Sequence, residues 1–409
     1  MKIVHLCYWD LAGGASIAAY KLHRALIKCG YTSSMIVLNK NTNDENVYSL
    51  RNKFVNFFIN LCNRLSSLLL KKYRPYTGNF SINLWGLDIS NHPLINDADI
   101  IYIHWINNSM FSLRGLKSLI EKGKIIHYFL HDMYLLTGGC HHSLECEKYT
   151  IHCGACNILK SSKNKDISYI QFEEKIKCLK SHSNIKIIVP SSWMANCVRK
   201  SFLFSEKVVK VIPNSINTEE FQPLNKIDSR CQLGLPNDMF LIAFGADNGP
   251  SNPYKGWQYL EQAVKMLPKT IKFAIVTFGG DEIKKTIVDG ITIYSMGRIN
   301  SSLHLSKVYS ACDIFAMPSI AESFGQTAVE SLCCGTPVIG FNNTGLSDII
   351  EHQKNGYLAD YRDVEDFKYG IECFLKKIDD NLRFEFHSYI KNKFDTSHIV
   401  LEHIKLFDR

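Results

Sequence analysis

The feature that most constrains this fold is a hydrophobic period that switches back and forth along the whole chain. Residues 3–8 form a short apolar run. Ala15, Ala18, Ala19, Leu22 and Leu26 then follow helical spacing, and Gly30 stops the helix. Further apolar runs at 35–38, 100–103, 125–130, 185–189 and 208–212 are separated mostly by helical stretches. The alternation restarts at 240–244, 273–278, 291–294, 314–317 and 337–341. Ile- and Val-rich strands alternating with helices predict parallel sheets covered on both faces. Residues 214–238 are polar with two prolines and are read as an inter-domain linker. The expected architecture is α/β: two Rossmann-like βαβ domains, 1–213 and 239–385, facing across a cleft, with a final helix at 386–409 packing back on the first.

Composition narrows the class. With 46% apolar and 21% charged residues, the chain is neither disordered nor fibrous. No apolar run reaches the roughly 18 residues of a membrane span. The first apolar run ends at Asp10, so it reads as a strand rather than a secretory signal. The 14 cysteines then point to reduced thiols in a cytoplasm. A net charge of +8 suits phosphate-bearing ligands or an anionic membrane.

Two segments stand apart. Residues 41–97 interrupt the first domain. Within them 51–74 carries Arg51, Lys53, Arg64, Lys71, Lys72 and Arg74 and no acidic residue. Phe54, Phe57, Phe58, Leu61, Leu65, Leu68 and Leu69 fall on one helical face. This is either a core-packing helix with a solvated basic face or a helix lying on anionic lipid. Further on, Cys140, Cys146, Cys153 and Cys156 are spaced C-x5-C-x6-C-x2-C, with His141, His142 and His152 nearby. The last pair has zinc-site spacing and the first gap is wide. A structural zinc, buried free cysteines and a redox-labile pair are the three readings.

The richest stretch for chemistry is MPSIAESFGQTAVESLCCGTPVIGF, beginning at Met317. A strand ends near Met317, Pro318, Ser319 and Gly325 make a turn, and a helix begins near Gln326. Unsatisfied N–H groups at such a helix start suit a diphosphate. Glu322 sits where α/β sheets place ligands, and Glu330 on the helix could accept hydrogen bonds from a ribose diol.

This stretch resembles the nucleotide-sugar site of the family 4 glycosyltransferases, retaining enzymes of the GT-B fold. The resemblance is collinear over most of the chain. It includes Gly13-Gly14-Ala15, then Ile212-Pro213-Asn214-Ser215 with Phe221, Lys255-Gly256, and Asn355-Gly356-Tyr357-Leu358. The segments Ile103-His104-Trp105-Ile106-Asn107, Leu130-His131-Asp132-Met133 and Thr137-Gly138-Gly139-Cys140 resemble bacterial colanic-acid, capsule and O-antigen glycosyltransferases. The resemblance implies transfer of a sugar, with retention, from a UDP- or GDP-sugar to a hydroxyl of a lipid-linked oligosaccharide. It implies a cytoplasmic enzyme, peripheral on the inner face of the plasma membrane, with no cofactor required for catalysis and no nucleic-acid partner.

Roles carry over residue by residue. Glu330 is expected to bind the ribose hydroxyls and Glu322 a donor-sugar hydroxyl. Ser323, Phe324, Gly325 and Gln326 would present N–H groups to the diphosphate and sugar. Lys255 would neutralise the leaving diphosphate. The family's usual arginine is replaced by Ala246, and Arg298 is the candidate substitute. His131 would face the donor sugar near the reacting carbon, Gly13 and Gly14 would allow close backbone approach, and His104 is a weaker candidate. The alternative is a dinucleotide-dependent oxidoreductase or a sugar-nucleotide epimerase. That would want Gly-x-Gly-x-x-Gly after the first strand and an acidic residue after the second, where this chain has Leu38-Asn39-Lys40.

Overall fold

The computed structural model describes residues 1–73, 79–245, 249–375 and 379–407. Arg74 and Ala246 therefore lie outside the described residues. The chain divides into two compact units, Met1–Pro213 with Val400–Arg409, and Asn214–Ile399.

The first unit is built on seven strands: β1 (Lys2–Trp9), β2 (Thr32–Asn39), β3 (Val47–Ser49), β4 (Ile100–Ile103), β5 (Ile125–Phe129), β6 (Ile185–Val189) and β7 (Val209–Val211). They form one sheet in the order β3-β2-β1-β4-β5-β6-β7. Every pair in it is parallel. The second unit holds β8 (Phe240–Gly245), β9 (Phe273–Phe278), β10 (Ile283–Val288), β11 (Ile291–Met296), β12 (Ile314–Met317), β13 (Val338–Phe341) and β14 (Gly356–Ala359). Their order is β10-β11-β9-β8-β12-β13-β14, with only the edge pair β10–β11 antiparallel. In each sheet the strand order reverses beside the first strand, β1–β4 in one and β8–β12 in the other. Loops at the carboxyl ends of those strands diverge there and leave a crevice for a ligand.

Three expectations change. The segment read as a linker belongs to the second unit. It contains the helix Lys226–Leu233, and Ile216, Phe221 and Leu235 are buried in that unit's core. Three apolar anchors suffice to fold a polar segment against a sheet. The final helix also divides differently: Phe386, Ile390 and Phe394 are core residues of the second unit, and the chain returns to the first only at Val400. Strands β3, β10 and β14 were not legible, being short or, in β10, lysine-bearing and largely exposed.

The interrupting segment forms the helix Lys53–Lys71, N-capped by the Asn52 side chain. It has two apolar faces. Ile59, Cys62, Ser66 and Leu70 are buried, while Phe54, Phe57, Leu61, Leu65 and Leu68 are exposed, Phe54 at 76% and Phe57 at 70%. Phe58 and Leu69, placed by the periodicity on the same helical face as these, are only half-exposed. No helix among the described residues is long and apolar enough to cross a membrane.

One face of the first sheet mixes buried histidines with apolar residues such as Cys7, Met35 and Val37. His5, Tyr102 and His127 are register partners on β1, β4 and β5. Tyr102 stacks on His5 at 5.0 Å, meets His127 edge-on at 4.8 Å, and its hydroxyl lies 3.1 Å from His403 Nδ1. His23, 0% exposed, covers the same layer from the helix Gly14–Lys28. Burial pushes His127 and His403 down to about 3 and His23 to about 4, the last against the pull of Asp44. It holds His5 well below the usual range. These rings are neutral in the folded state and take up protons on unfolding. Their contribution to stability is therefore complete above the unfolded value of about 6.5 and is lost as pH falls toward 4. Denaturant unfolding should show stability dropping between about pH 6.5 and 4.5 with net proton uptake on unfolding. His127→Phe, which removes two ring nitrogens without hydrogen-bond partners, should flatten that slope. A pH-independent unfolding midpoint over this range would overturn the assignment of neutral buried rings.

Candidate active site

In the second unit the connection after β12 runs through 318–325 into the helix Gln326–Cys333. Gly325 begins the helix at φ 112, and a Cβ there would lie 2.6 Å from Leu346 Cδ2, so both conformation and space require glycine. No side chain caps this helix, which leaves its start open to an anion. Ser323, Phe324 and Gly325 are buried in the turn, and Gln326 is half-buried with its Nε2 donating to the Ser215 carbonyl at 3.4 Å.

Glu322 stands in this turn. Its carbonyl accepts the Gly345 N–H at 2.9 Å, and its carboxylate accepts from Lys255 Nζ at 2.6 Å. What brings Lys255 here is the next residue. Gly256 has φ 71, and a Cβ on it would fall 1.9 Å from the Pro318 carbonyl oxygen. The two turns are tied again by Ile320 N–H donating to Tyr254 O at 2.9 Å. The Lys255–Glu322 pair is only partly solvated, with side chains 24% and 16% exposed. Glu330 is half-buried on the helix, and its Oε2 accepts from the Tyr309 hydroxyl at 3.1 Å. Burial, with Glu330 alongside, pushes the Tyr309 phenol far up, so it remains a donor. Tyr309 was not legible as a site residue because its helical spacing in Ser302–Ala311 reads as core. Arg298, on the loop after β11, is exposed and 3.9 Å from Asp281.

In the first unit, the carboxyl ends of β1, β4 and β5 carry Gly13-Gly14, His104 and His131. Gly13 has φ 81, and a Cβ at either glycine would meet nothing within 4 Å. The helix Gly14–Lys28 also starts without a side-chain cap. The preceding loop is pinned by buried Asp10, whose carboxylate accepts N–H groups of Leu11, Asn41 and Thr42 and the Thr42 hydroxyl.

His131 is partly exposed and stacks on Phe129 at 4.5 Å. Its Nε2 lies 3.0 Å from Nδ1 of buried His104. Burial pushes His131 down to about 4, against the opposing pull of Asp132. The Asp132 carboxylate is engaged elsewhere, by Trp105 Nε1 at 2.9 Å and His141 Nδ1 at 2.6 Å. Burial alone would raise Asp132, but His141 and the Tyr134 N–H outweigh it and hold the carboxyl at about 2. His141 Nε2 in turn meets Ser81 Oγ at 2.7 Å. Buried Lys175 donates to the carbonyls of Tyr134 and Thr137 from below.

Cys140, Cys146, Cys153 and Cys156 all line one small cavity with Phe80, Tyr149 and Ile158. Among the described residues no three His, Cys, Asp or Glu side chains stand in positions to hold a metal ion. Cys153 Sγ accepts the Gly138 N–H at 3.1 Å, and burial pushes its thiol up to about 12 and that of Cys156 up as well.

Residues 249–393 match the family described as glycosyl transferases group 1. Over 319 residues the chain is 25% identical to an uncharacterized glycosyltransferase of Methanocaldococcus jannaschii, covering 71% of this chain and 78% of that protein. A D-inositol 3-phosphate glycosyltransferase of Xylanimonas cellulosilytica is 32% identical over 38% of this chain and 40% of its own length. The chain thus spans under half the length of that relative. Sucrose-phosphate synthase from Thermosynechococcus elongatus superposes with a TM-score of 0.66 at 17% identity, covering 100% of this chain and 98% of that one. Anabaena Alr3699/HepE in complex with UDP and glucose gives 0.61 at 16% identity, over 100% and 99%. WaaG, a glycosyltransferase involved in lipopolysaccharide biosynthesis, gives 0.62 at 13% identity, over 99% of each chain. At these identities the solved structures establish the GT-B architecture. The matched residues contain Lys255, Glu322 and Glu330, and a glycosyltransferase, not an oxidoreductase or epimerase, is what this chain resembles.

Proposed function

We propose that this chain, whose residues 249–393 match the group 1 glycosyl transferases, moves a sugar with retention from a nucleoside diphosphate sugar to a hydroxyl of a lipid-linked oligosaccharide in surface polysaccharide synthesis. The observation that carries the reading is the Lys255–Glu322 pair beside an uncapped helix start that bears Glu330. An ammonium has three donors. One is spent on Glu322, which leaves two for diphosphate oxygens. The same pairing cancels the charge that would otherwise set Glu322 against the diphosphate, so its remaining lone pairs can hold sugar hydroxyls. Glu330, whose Oε2 accepts from the Tyr309 hydroxyl, is the proposed acceptor for the ribose diol. Arg298 is the proposed second cation for the phosphates, and Gly13, Gly14 and His131 serve the donor as the resemblance implies. A UDP-bound neighbour supports a nucleotide-sugar donor, and a lipopolysaccharide neighbour supports the polysaccharide role. With no carboxylate outside the donor turn assigned as nucleophile, front-face attack is proposed. The departing diphosphate then accepts the acceptor's proton.

The test is consumption of nucleotide sugars by purified variants. Glu330→Ala should raise donor KM by about tenfold or more with little change in kcat, because a ribose contact is equal in ground and transition states. Glu322→Ala and Lys255→Ala should lower kcat by about tenfold to a hundredfold, since charge on the diphosphate grows as the bond breaks. Wild-type rates in all three would remove the assignment.

We also propose that the helix Lys53–Lys71 docks on the cytoplasmic leaflet. Support comes from its second, outward apolar face and from the exposed basic residues Arg51, Lys53, Arg64, Lys71 and Lys72. Each basic group contributes on the order of 1 kcal/mol near an anionic surface, and the phenylalanines add an apolar term that salt does not remove. Co-sedimentation with phosphatidylglycerol vesicles should fall on Lys71→Glu with Lys72→Glu. It should fall again, now at high salt, on Phe54→Ser with Phe57→Ser. Equal binding by all forms, or none by the native protein, rejects docking.

The four cysteines remain a proposed zinc site. Holding the ion would require their side chains to turn inward and lose their protons. Metal analysis of protein purified without chelator should find about one equivalent of zinc, lost in Cys153→Ser with Cys156→Ser. Metal-free native protein ends the proposal.

A further inference from the structure

Three histidines in the first unit form an unbroken chain of ring contacts from the middle of the sheet to its carboxyl edge. His5 Nδ1 lies 3.1 Å from His104 Nε2, and His104 Nδ1 lies 3.0 Å from His131 Nε2. The rings of His5 and His104 are near-parallel at 5.3 Å, and His104 and His131 both stack on Phe129. We infer that His5 and His104 are positioning residues that fix His131 as its Nδ1–H tautomer, so that it offers the donor sugar a hydrogen-bond donor rather than a lone pair. The inference rests on the proposed role of His131 at the donor sugar.

The argument is a count of protons. A neutral imidazole carries one N–H and one lone pair. Each of the two contacts needs one proton between its nitrogens. Only two arrangements of three neutral rings satisfy both. In one, His5 Nδ1–H donates to His104 Nε2, His104 Nδ1–H donates to His131 Nε2, and His131 keeps its proton on Nδ1. In the other every donor is reversed, and His131 Nδ1 is bare.

The far end of the chain chooses between them. His5 Nε2 is buried and has no hydrogen-bond partner. The first arrangement leaves a bare lone pair there. The second leaves an orphaned buried N–H, which native structures avoid most strongly. The first arrangement is therefore favoured. Among the described residues no hydrogen bond reaches His131 Nδ1, so its proton is available to a ligand.

The surroundings keep the rings uncharged. Burial holds His5 and His104 well below the usual histidine range and His131 at about 4. The acidic group beside His131 is Asp132, whose oxygens are taken by Trp105, His141 and the Tyr134 N–H. His403, which also faces His5 and His104, is engaged at Nδ1 by Tyr102. A neutral donor at this position does not add a positive charge to one developing at the anomeric carbon.

The test is the two-bond proton–nitrogen spectrum of the full chain carrying nitrogen-15 histidine, at about pH 7.5, where all three rings are neutral. His131, assigned by its loss in His131→Phe, should show a protonated Nδ1 and a bare Nε2, as should His104. A protonated Nε2 on His131 overturns the inference, and the tautomer itself is read on the native chain. His104→Leu removes the donor, whereas His104→Asn keeps an N–H near the position of Nδ1. His104→Leu should shift the His131 signals toward Nε2–H and lower kcat about tenfold with donor KM within about twofold, while His104→Asn stays within about threefold of native. Equal losses in the two variants with unchanged His131 signals would reject the positioning role. If His131→Ala turns over at the native rate, the proposed role of His131 fails instead, and the tautomer read from the spectrum is unaffected.

Discussion

Parallel pairing is the constraint on which both units depend. Two neighbouring parallel strands cannot be joined at one end of a sheet. The chain must cross back over a face, and the loops that leave the strands gather at the carboxyl edge. The reversal of strand order beside β1 and beside β8 then opens a gap among those loops. Gly13-Gly14, His104 and His131 leave strands of the first sheet at that edge, and the turn bearing Glu322 leaves β12 of the second. In the second unit the gap is given its shape by a backbone contact. The Gly256 backbone comes so close to Pro318 that no side chain fits between them, and this sets Lys255 on Glu322. An ion pair between residues 67 apart in sequence thus depends on one glycine.

The two sheets solve the problem of a buried face differently. The second covers both faces with aliphatic and aromatic side chains, as Ile242, Ile275, Ile314 and Ile339 on one side and Leu241, Ala274, Phe315 and Val338 on the other. The first gives the middle of one face to His5, Tyr102 and His127, with His403 laid over them from a helix. Neutral imidazole costs little apolar packing when stacked, yet it carries a donor and an acceptor that a leucine lacks. Histidine chains can therefore link the sheet interior to its edge at a cost in acid stability.

What the sequence disclosed follows from which signals are local. Ile- and Val-rich runs marked eleven of the strands, because a strand buried on both faces must be apolar throughout. β10 escaped because its Ile283, Lys284, Lys285 sequence belongs to an exposed edge, where no face is forced to be apolar. The linker reading failed because composition over 25 residues outweighed three anchors, Ile216, Phe221 and Leu235. In the second unit, Glu322 and Glu330 were candidates from the strand–turn–helix pattern, and Lys255 from the family resemblance alone. Tyr309 was not, since a tyrosine at core spacing gives no sign that its hydroxyl reaches a carboxylate two elements away. His5 was hidden in the same way, by sitting in a strand pattern where its neighbours are Val4 and Leu6. The helix Lys53–Lys71 shows the converse: periodicity identified an apolar stripe that the structure leaves exposed or half-exposed, while the buried face is made by Ile59, Cys62, Ser66 and Leu70, outside that stripe.

The loop that carries His131 is braced from three directions, and the braces explain its chemistry better than a reading of each residue in isolation. Ser81, His141 and Asp132 are linked at 2.7 and 2.6 Å, the order of groups found where a serine is activated as a nucleophile. Here Ser81 is buried at 7% exposure, and Asp132 also accepts from Trp105 and from the Tyr134 N–H. A carboxylate so engaged orients rather than polarises, and the trio ties 81, 132 and 141 into one unit. Lys175 adds a second brace, spanning the Tyr134 and Thr137 carbonyls with its ammonium 3.5 Å over the Tyr134 ring. Burial pulls that lysine down to about 7, opposed by Cys153, Cys140 and Asp132. The third brace is His104. A loop held at these points cannot swing His131 away from its ring partner. With that geometry fixed, the proton placement inferred at His5 bears on whether His131 Nδ1 presents a donor or a lone pair, not on where the ring stands.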